Sequence, residues 1–567
     1  MSPLINDPAT FVAESLRGFC SAHADRVAPA PGGVVRRVRR PGKVAIVAGG
    51  GSGHYPAFAG WVGRGFVDAA VCGNIFSSPS EKQILDVVRL ADEGGGILFV
   101  PINYAGDILH FGGAQDKLLM SGVDARTVVV ADDIASGTPD APEGRRGIAG
   151  SLIVLKIVGA AAERGGGLDE AERVAKSAVK ATRTFGVAFS GCTLPGAPAP
   201  LFTVPVGRMA VGMGIHGEPG IAEQDIGTAA EVADVLIDGL LAERPAKVGQ
   251  RLAVVVNGLG TTKYDELNLV FARVRQRLEE AGMKLVAPLV GEYMTSLDMA
   301  GLSVSITYLD TELEDLWLDP VDSVALARPL LDPEAGREPD YPIDQRLDSG
   351  VAAGTTESNR SARDIVHRLS TASAAIELAA DELGRLDAIA GDGDHGIGMV
   401  AGVKGALAAA RRAVDAGAGA GTALRLAGER WSAVAGGTSG ALWGAGLVAA
   451  GAVVGDTEAP SSTTVGAAVS AFAVAIVARG GAEPGDKTMV DAIVPFVATL
   501  RERIDEGENV HSAWGAAAAA ATRAARDSAA LSPRKGRARI HGARSVGTPD
   551  AGATSFALLA EAAVSAR

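Results

Sequence analysis

At 567 residues the chain exceeds what one compact core holds, and its length implies about two to four domains. A formal net charge of -13 excludes a broad polyanion-binding surface, so nucleic acid is not expected as a partner. The composition, 47% hydrophobic and 21% charged with 74 glycines, excludes a disordered chain and predicts tight packing of small side chains.

The opening "MSPLINDPATFVAES" has no basic segment followed by an apolar run, so no signal peptide is expected. Arg36–Arg40, "RRVRR", reads as a solvated lead-in to the strand-like "KVAIVAGGG". Cys20, Cys72 and Cys192 are scattered and lack CxxC spacing, which argues against disulfides or a thiolate zinc site and predicts a cytoplasmic location. Through residues 1–330, short β-branched runs ("VAIVAG", "GILFVPI", "RTVVVADD", "LAVVVNGLG", "KLVAPLVG") alternate with helical patterns. This predicts an α/β domain with a largely central sheet. The proline-rich, aperiodic run from Pro329 to Arg360 predicts a linker, placed at 331–360. Residues 361–567 carry 12- to 20-residue helical stretches rich in Ala and Leu and almost no strand signal, predicting an all-α domain. The longest apolar windows, such as Val465–Ala478, fall short of the roughly 20 residues a bilayer demands. They read as buried helices, and no membrane is expected.

Three loops in the first domain carry candidate chemistry. "AIVAGGGSGHYPAFAG" (Ala45–Gly60) runs a strand into a glycine-rich turn ending at His54, where Gly51, Ser52 and Gly53 allow close backbone approach to a ligand. It is not a dinucleotide fingerprint, because Pro56 stands where a third glycine belongs. "VPINYAGDILHFGGA" offers Asp107 and "VGMGIHGEPG" offers His216. Open sheets bind ligands beyond the carboxyl ends of their strands, where these three side chains could converge.

In the second domain, "LDAIAGDGDHGIGM" clusters Asp387, Asp392 and Asp394. Such carboxylates repel one another unless a hard cation neutralises them. An EF-hand is excluded by register, since counting from Asp392 places Ile397 at position six and Val403 at position twelve; magnesium suits the loop better. "AVAGGTSGALWG" reads as a helix N-terminus preceded by Gly436, Gly437, Thr438 and Ser439, suited to phosphate. "RGGAEPGDKTMVDA" is not a Walker A loop, because Asp486 separates Gly485 from Lys487.

Together the ordered motifs "GGGSGHYPAFAG", "NYAGDILHFGGA", "MGIHGEPG", "VNGLGTT", "GEYMTSLDMAGLSVSI", "GDGDHG", "GGTSGALWG", "GAEPGDKTMVDA" and "GTPDAGATS" resemble the dihydroxyacetone kinase family in its single-chain, ATP-dependent branch. The resemblance covers nearly the whole chain. It implies an α/β ketose-binding domain at 1–330 and an eight-helix barrel at 361–567 that takes ATP and Mg2+. It implies that His216 holds the substrate ketone as a hemiaminal, with Asp107 as general base or orienter, His54 hydrogen-bonding the substrate and Gly51 to Gly53 contacting it by backbone. Asp387, Asp392 and Asp394 match the magnesium ligands. Asp394, His395, Gly396, Ile397, Thr438, Ser439, Gly480, Thr488, Met489 and the run Asp550, Ala551, Gly552 match nucleotide contacts. A homodimer, in which the ATP domain of one chain can serve its partner, is also implied. Three positions depart from the family pattern: Ile102 replaces a lysine, Tyr55 a glutamate, and Ala551 a proline. The first two lie beside the substrate loops and put the four-carbon erythrulose or a related tetrulose at least level with dihydroxyacetone as the expected substrate. The competing expectations are a non-catalytic or regulatory ketose-binding protein and a phosphotransferase-system subunit using bound ADP.

Overall fold

The computed structural model describes residues 4–245, 249–329, 351, 353–389, 391–535 and 542–565. The chain divides into two compact units, Met1–Pro339 and Asp340–Arg567. Most of the expected linker, residues 330–350 and 352, lies outside the described residues, and its final residues already belong to a helix that starts at Thr356.

The first unit holds two main sheets where the strand alternation suggested one. In the six-stranded sheet the order is Val27–Ala30, Gly33–Arg36, Ala69–Ile75, Ala45–Ser52, Ile97–Phe99, Ala125–Thr127, the last four mutually parallel. In the second sheet the order is Ala222–Asp225, Arg208–Val211, Thr182–Ala188, Gly301–Leu309, Arg251–Gly258, the five running alternately antiparallel, and Arg251–Gly258 then pairs in parallel with Lys284–Leu285 and Leu289–Gly291. Period-two side-chain alternation explains how each sheet is covered on both faces. Ile46 and Ala48 face a central core also reached by Ala253 and Val255 of the other sheet. Ala45 and Val47 point instead toward helices Glu81–Ala91 and Ala105–Met120, while Val254 and Val256 point toward Ala229–Ala242 and Tyr264–Glu280. The central core is filled by helix Ser151–Arg164, buried at every position from Ser151 to Ala162. A helix buried on all sides needs partners all round, and helices Leu168–Ala181 and Thr311–Leu318 and strand Ala45–Ser52 supply them, with the buried Lys156 donating to Leu316 O.

Eight long helices build the second unit: Thr356–Ala388, His395–Asp415, Ala420–Ala435, Gly437–Val454, Ser462–Gly480, Val490–Asp505, Val510–Asp527 and Ala551–Ser565. Each packs against the next, and the last returns to the first, so the eight close into a ring. Trp431, Trp443, Phe472, Phe496 and Phe556 line an apolar cavity of about 560 Å³ inside it. Gly437–Val454 and Ser462–Gly480 are long and apolar enough to cross a membrane by length and composition, with 33% and 22% of their windows buried. They were expected to be buried helices; they are neighbouring staves of this ring, and Leu447, Ala450, Val469 and Phe472 from them line its cavity.

Candidate active site

In the first unit Gly53, His54, Asp107 and His216 follow the carboxyl ends of strands. The glycines of "AIVAGGGS" lie within the strand, which runs to Ser52, rather than in the turn. They are needed there because a Cβ on Gly49 would stand 2.6 Å from Val71 O and one on Gly51 2.6 Å from Ser77 N. The turn itself is Gly53, at φ +105°, a conformation that L side chains avoid. The Ser52 hydroxyl donates to Gly73 O at 2.7 Å and so serves the fold.

His54 is fully buried, its Nδ1 2.8 Å from Thr295 O and its Nε2 3.0 Å from His216 Nε2. Phe76 stacks on the His54 ring at 5.0 Å, and both Phe76 and Tyr104 meet the His216 ring edge-on, at 5.0 and 4.8 Å. Burial, with the neighbouring His216, pushes the His54 imidazole down to about 3, so it is neutral at rest. Asp107 sits in the first turn of helix Ala105–Met120 and is 3% exposed. Burial raises its carboxyl to about 6, against the opposing effects of a Ser78 hydrogen bond and the His216 charge. Its Oδ1 has no hydrogen-bond partner among the described residues.

Two residues of this site were not singled out from sequence. Glu218 holds His216 twice: Oε1 lies 3.1 Å from Nδ1, and Oε2 accepts from the His216 backbone N–H at 3.0 Å. Its position two residues from His216 was visible in "HGEPG", but a short acidic side chain in a glycine turn reads as capping. Ser78 comes from a different strand end, which no local pattern signals. Of the two departures, Ile102 is 2% exposed in the central core, bridged to Val130, and so does not line an open pocket. Tyr55 is 55% exposed and meets Phe19 edge-on.

In the second unit, Asp387 belongs to the last turn of helix Thr356–Ala388, not to the loop. One oxygen from each of Asp387, Asp392 and Asp394 lies within 4.8 Å of the others. Asp387 Oδ2 accepts from Gly393 N–H at 2.8 Å, and a Cβ on Gly391 would collide with the same carboxylate, so the glycines fold the loop around it. An all-carboxylate donor set with two exposed members fits a hard cation that keeps water and phosphate in its shell, as Mg2+ does. Helix Gly437–Val454 starts earlier than expected, so Thr438 and Ser439 stand in its first turn, behind Gly436 and Gly437 at φ +59° and +56°. His395 ties the loops together, with Nε2 2.9 Å from Ser555 Oγ and Nδ1 3.4 Å from Ser439 Oγ. Gly396 permits helix contact, since a Cβ there would stand 2.0 Å from Ala380 O. Ile397 is 75% exposed beside them, and Gly480 is exposed at a helix end. In "GDKTM", Lys487 turns away from any phosphate role: it is buried and donates to Leu531 O and Ser545 O. Asp491, also missed from sequence, shapes that turn by accepting from the N–H groups of Gly485 and Thr488. Met489 packs against Gly552, while Asp550 caps Ala551–Ser565 by accepting from Ala553 N–H at 2.7 Å.

Comparison with known proteins identifies the two domains. Residues 17–325 match the Dak1 domain and residues 389–565 the DAK2 domain. The chain is 51% identical to an L-erythrulose 1-kinase of Mycolicibacterium smegmatis, over 99% of both chains, and 50% identical to a D-erythrulose kinase of the same organism, over 99% of this chain and 97% of that one. The crystal structure of the dihydroxyacetone kinase from C. freundii in complex with AMP-PNP and Mg2+ superposes with a TM-score of 0.60 at 29% identity, covering 100% of this chain and 99% of that one. With both domains in one chain and both sets of loops in place, the protein belongs to the dihydroxyacetone kinase family.

Proposed function

We propose that the protein is an ATP-dependent kinase that phosphorylates the terminal hydroxyl next to the carbonyl of a short-chain ketose, with erythrulose preferred over dihydroxyacetone. The observation that carries the reading is the His54–His216 pair, two imidazole Nε2 atoms 3.0 Å apart beside a buried carboxylate with an unpartnered oxygen. His216 Nε2 is the nucleophile that captures the ketone as a hemiaminal, so recognition depends on an electrophilic carbon that polyols lack. Asp107, raised to about 6, is the base that takes the proton of the terminal hydroxyl at neutral pH. His54 contacts the substrate oxygen, and the backbone of Gly51, Ser52 and Gly53 forms the adjoining wall. Asp387, Asp392 and Asp394 hold Mg2+, which when bound neutralises charge on the ATP phosphates. The first turns at His395–Ile397 and at Thr438 and Ser439, with Gly480, Thr488, Met489 and Asp550 to Gly552, form the nucleotide cradle. A preference for four carbons is supported by the two erythrulose kinases at about half identity over nearly the full chain. A cytoplasmic homodimer belongs to the same reading.

An ADP-release assay with Mg-ATP tests it against D-erythrulose, L-erythrulose, dihydroxyacetone, glyceraldehyde and glycerol. Turnover is expected on erythrulose and not on glycerol. Efficient turnover of dihydroxyacetone alone overturns the tetrulose preference, and activity on glycerol overturns the capture step.

A further inference from the structure

Hydrogen-bond geometry determines where the protons of the histidine pair lie. His54 Nδ1 faces a backbone carbonyl, Thr295 O, at 2.8 Å and must carry its proton there, which leaves Nε2 as an acceptor. The 3.0 Å contact between the two Nε2 atoms therefore needs a proton on His216 Nε2. His216 Nδ1 faces the Glu218 carboxylate at 3.1 Å and needs a proton as well. The ring is thus held as an imidazolium between a neutral histidine and a carboxylate.

The surroundings are built for that carboxylate. A Cβ on Gly214 would stand 2.0 Å from Glu218 Oε2 and 2.6 Å from an Arg146 nitrogen, so only glycine leaves room for the pair. Gly214 N–H donates to Glu218 O at 3.0 Å, and Gly217, at φ +87°, turns the chain so that the side chain folds back on His216. Arg146 NH1 lies 3.9 Å from Oε2 and is itself anchored on Asp133 and Gly212 O. Partial burial alone would push the Glu218 carboxyl up, but the His216 hydrogen bond and charge bring it down to about 2, so it stays ionised beside the ring.

We propose that Glu218 is the positioning residue of ketone capture: it fixes the Nδ1–H form of His216 and balances the positive charge the ring carries before and after it adds to the carbonyl. The inference rests on the reading of His216 as the ketone-capturing nucleophile. The step balances without an outside acid. The Nε2–H bond of His216 breaks as its proton passes to His54 Nε2, and the freed lone pair forms the C–N bond. The π pair of the carbonyl moves to oxygen, which takes the proton from His54. Charge on the His216 ring is the same at both ends, opposite Glu218 throughout, and His54 returns to its neutral state. A base as weak as His54 suits a relay that holds a proton only in passing.

The test uses the full chain without nucleotide and [2-13C]erythrulose, whose labelled carbon moves from the carbonyl to the carbinol region of the carbon spectrum on capture. The wild-type protein should show the carbinol signal, and His216→Ala should lose it. Glu218→Gln keeps an acceptor for Nδ1–H but removes the charge; its carbinol population should fall on the order of ten- to a hundredfold, the worth of a hydrogen bond to a charged group, and KM should rise while kcat changes little. Glu218→Asp, which keeps the charge, should recover part of the signal and serves if the glutamine variant does not fold. A Glu218→Gln protein with wild-type carbinol population and KM, or one that loses only kcat, overturns the role of Glu218. Absence of the carbinol signal in the wild type overturns the capture reading itself and this proposal with it.

Discussion

Asp107 shows how one residue trades stability for chemistry. Its carboxyl is raised from 3.8 to about 6 chiefly by burial, so the folded protein binds its proton more tightly than the unfolded chain does. The contribution to stability is therefore favourable at low pH and is lost as pH rises from about 4 through about 6, the reverse of a salt-bridged carboxylate. Ketose phosphorylation should show the opposite slope, with kcat/KM falling about tenfold per pH unit below about 6 as the base protonates. Asp107→Asn should then be inactive yet more stable at pH 8, by about 2 kcal/mol, as read from paired turnover and denaturant unfolding. Asp107, His54 and His216 were legible in the sequence because each sits in a loop whose glycines and strand context mark it. Glu218, Ser78 and Asp491 were not, because their importance lies in which side chain they touch, and that depends on how separate loops are folded together. Ile102 is a related case: its place beside Asn103 and Tyr104 reads as part of a polar loop, while its own side chain turns into the core.

At the scale of the element, the glycines of the helical ring act as contact residues. A Cβ on Gly428 would stand 2.7 Å from Gly444 O and 3.0 Å from Val448 N, where helix Ala420–Ala435 lies against Gly437–Val454. Replacing a mid-helix glycine by alanine ordinarily favours the helix by about 1 kcal/mol. Here the new methyl meets backbone that cannot move aside, so Gly428→Ala should destabilise the protein by roughly 1–3 kcal/mol, measured by thermal or denaturant unfolding. The helices themselves were readable from composition and caps, and the tightness of the ring follows from the same abundance of Gly and Ala. The pairing of strands was not readable. Arg251–Gly258 and Ala45–Ser52 have the same β-branched, nearly continuous apolar texture, yet one lies antiparallel to Gly301–Leu309 and the other parallel to its neighbours. Between the two sheets helix Leu168–Ala181 touches Ile97–Phe99 of one and Gly301–Leu309 of the other, a long-range fact with no local signature.

For the whole molecule, capture and transfer reside on two separately packed units, so they should be separable by mutation. Asp392→Ala removes one of three clustered carboxylates and should abolish ADP release, while the carbinol signal of labelled ketose persists; chelation of Mg2+ should do the same to the wild type. Normal turnover in Asp392→Ala would overturn the metal assignment. The closed ring has a further consequence, for the way the second unit comes into being. Helical proteins fold fast when their contacts are local, but this ring is sealed by Thr356–Ala388 meeting Ala551–Ser565, with Arg368 bonded to Ala563 across 195 residues of chain. The bond between His395 and Ser555, near the N-terminal ends of helices His395–Asp415 and Ala551–Ser565, spans 160 residues and depends on the same closure. Contacts that depend on this closure are expected to form late, and added Mg-ATP should slow unfolding more than it speeds refolding, as read from the two rates with and without nucleotide.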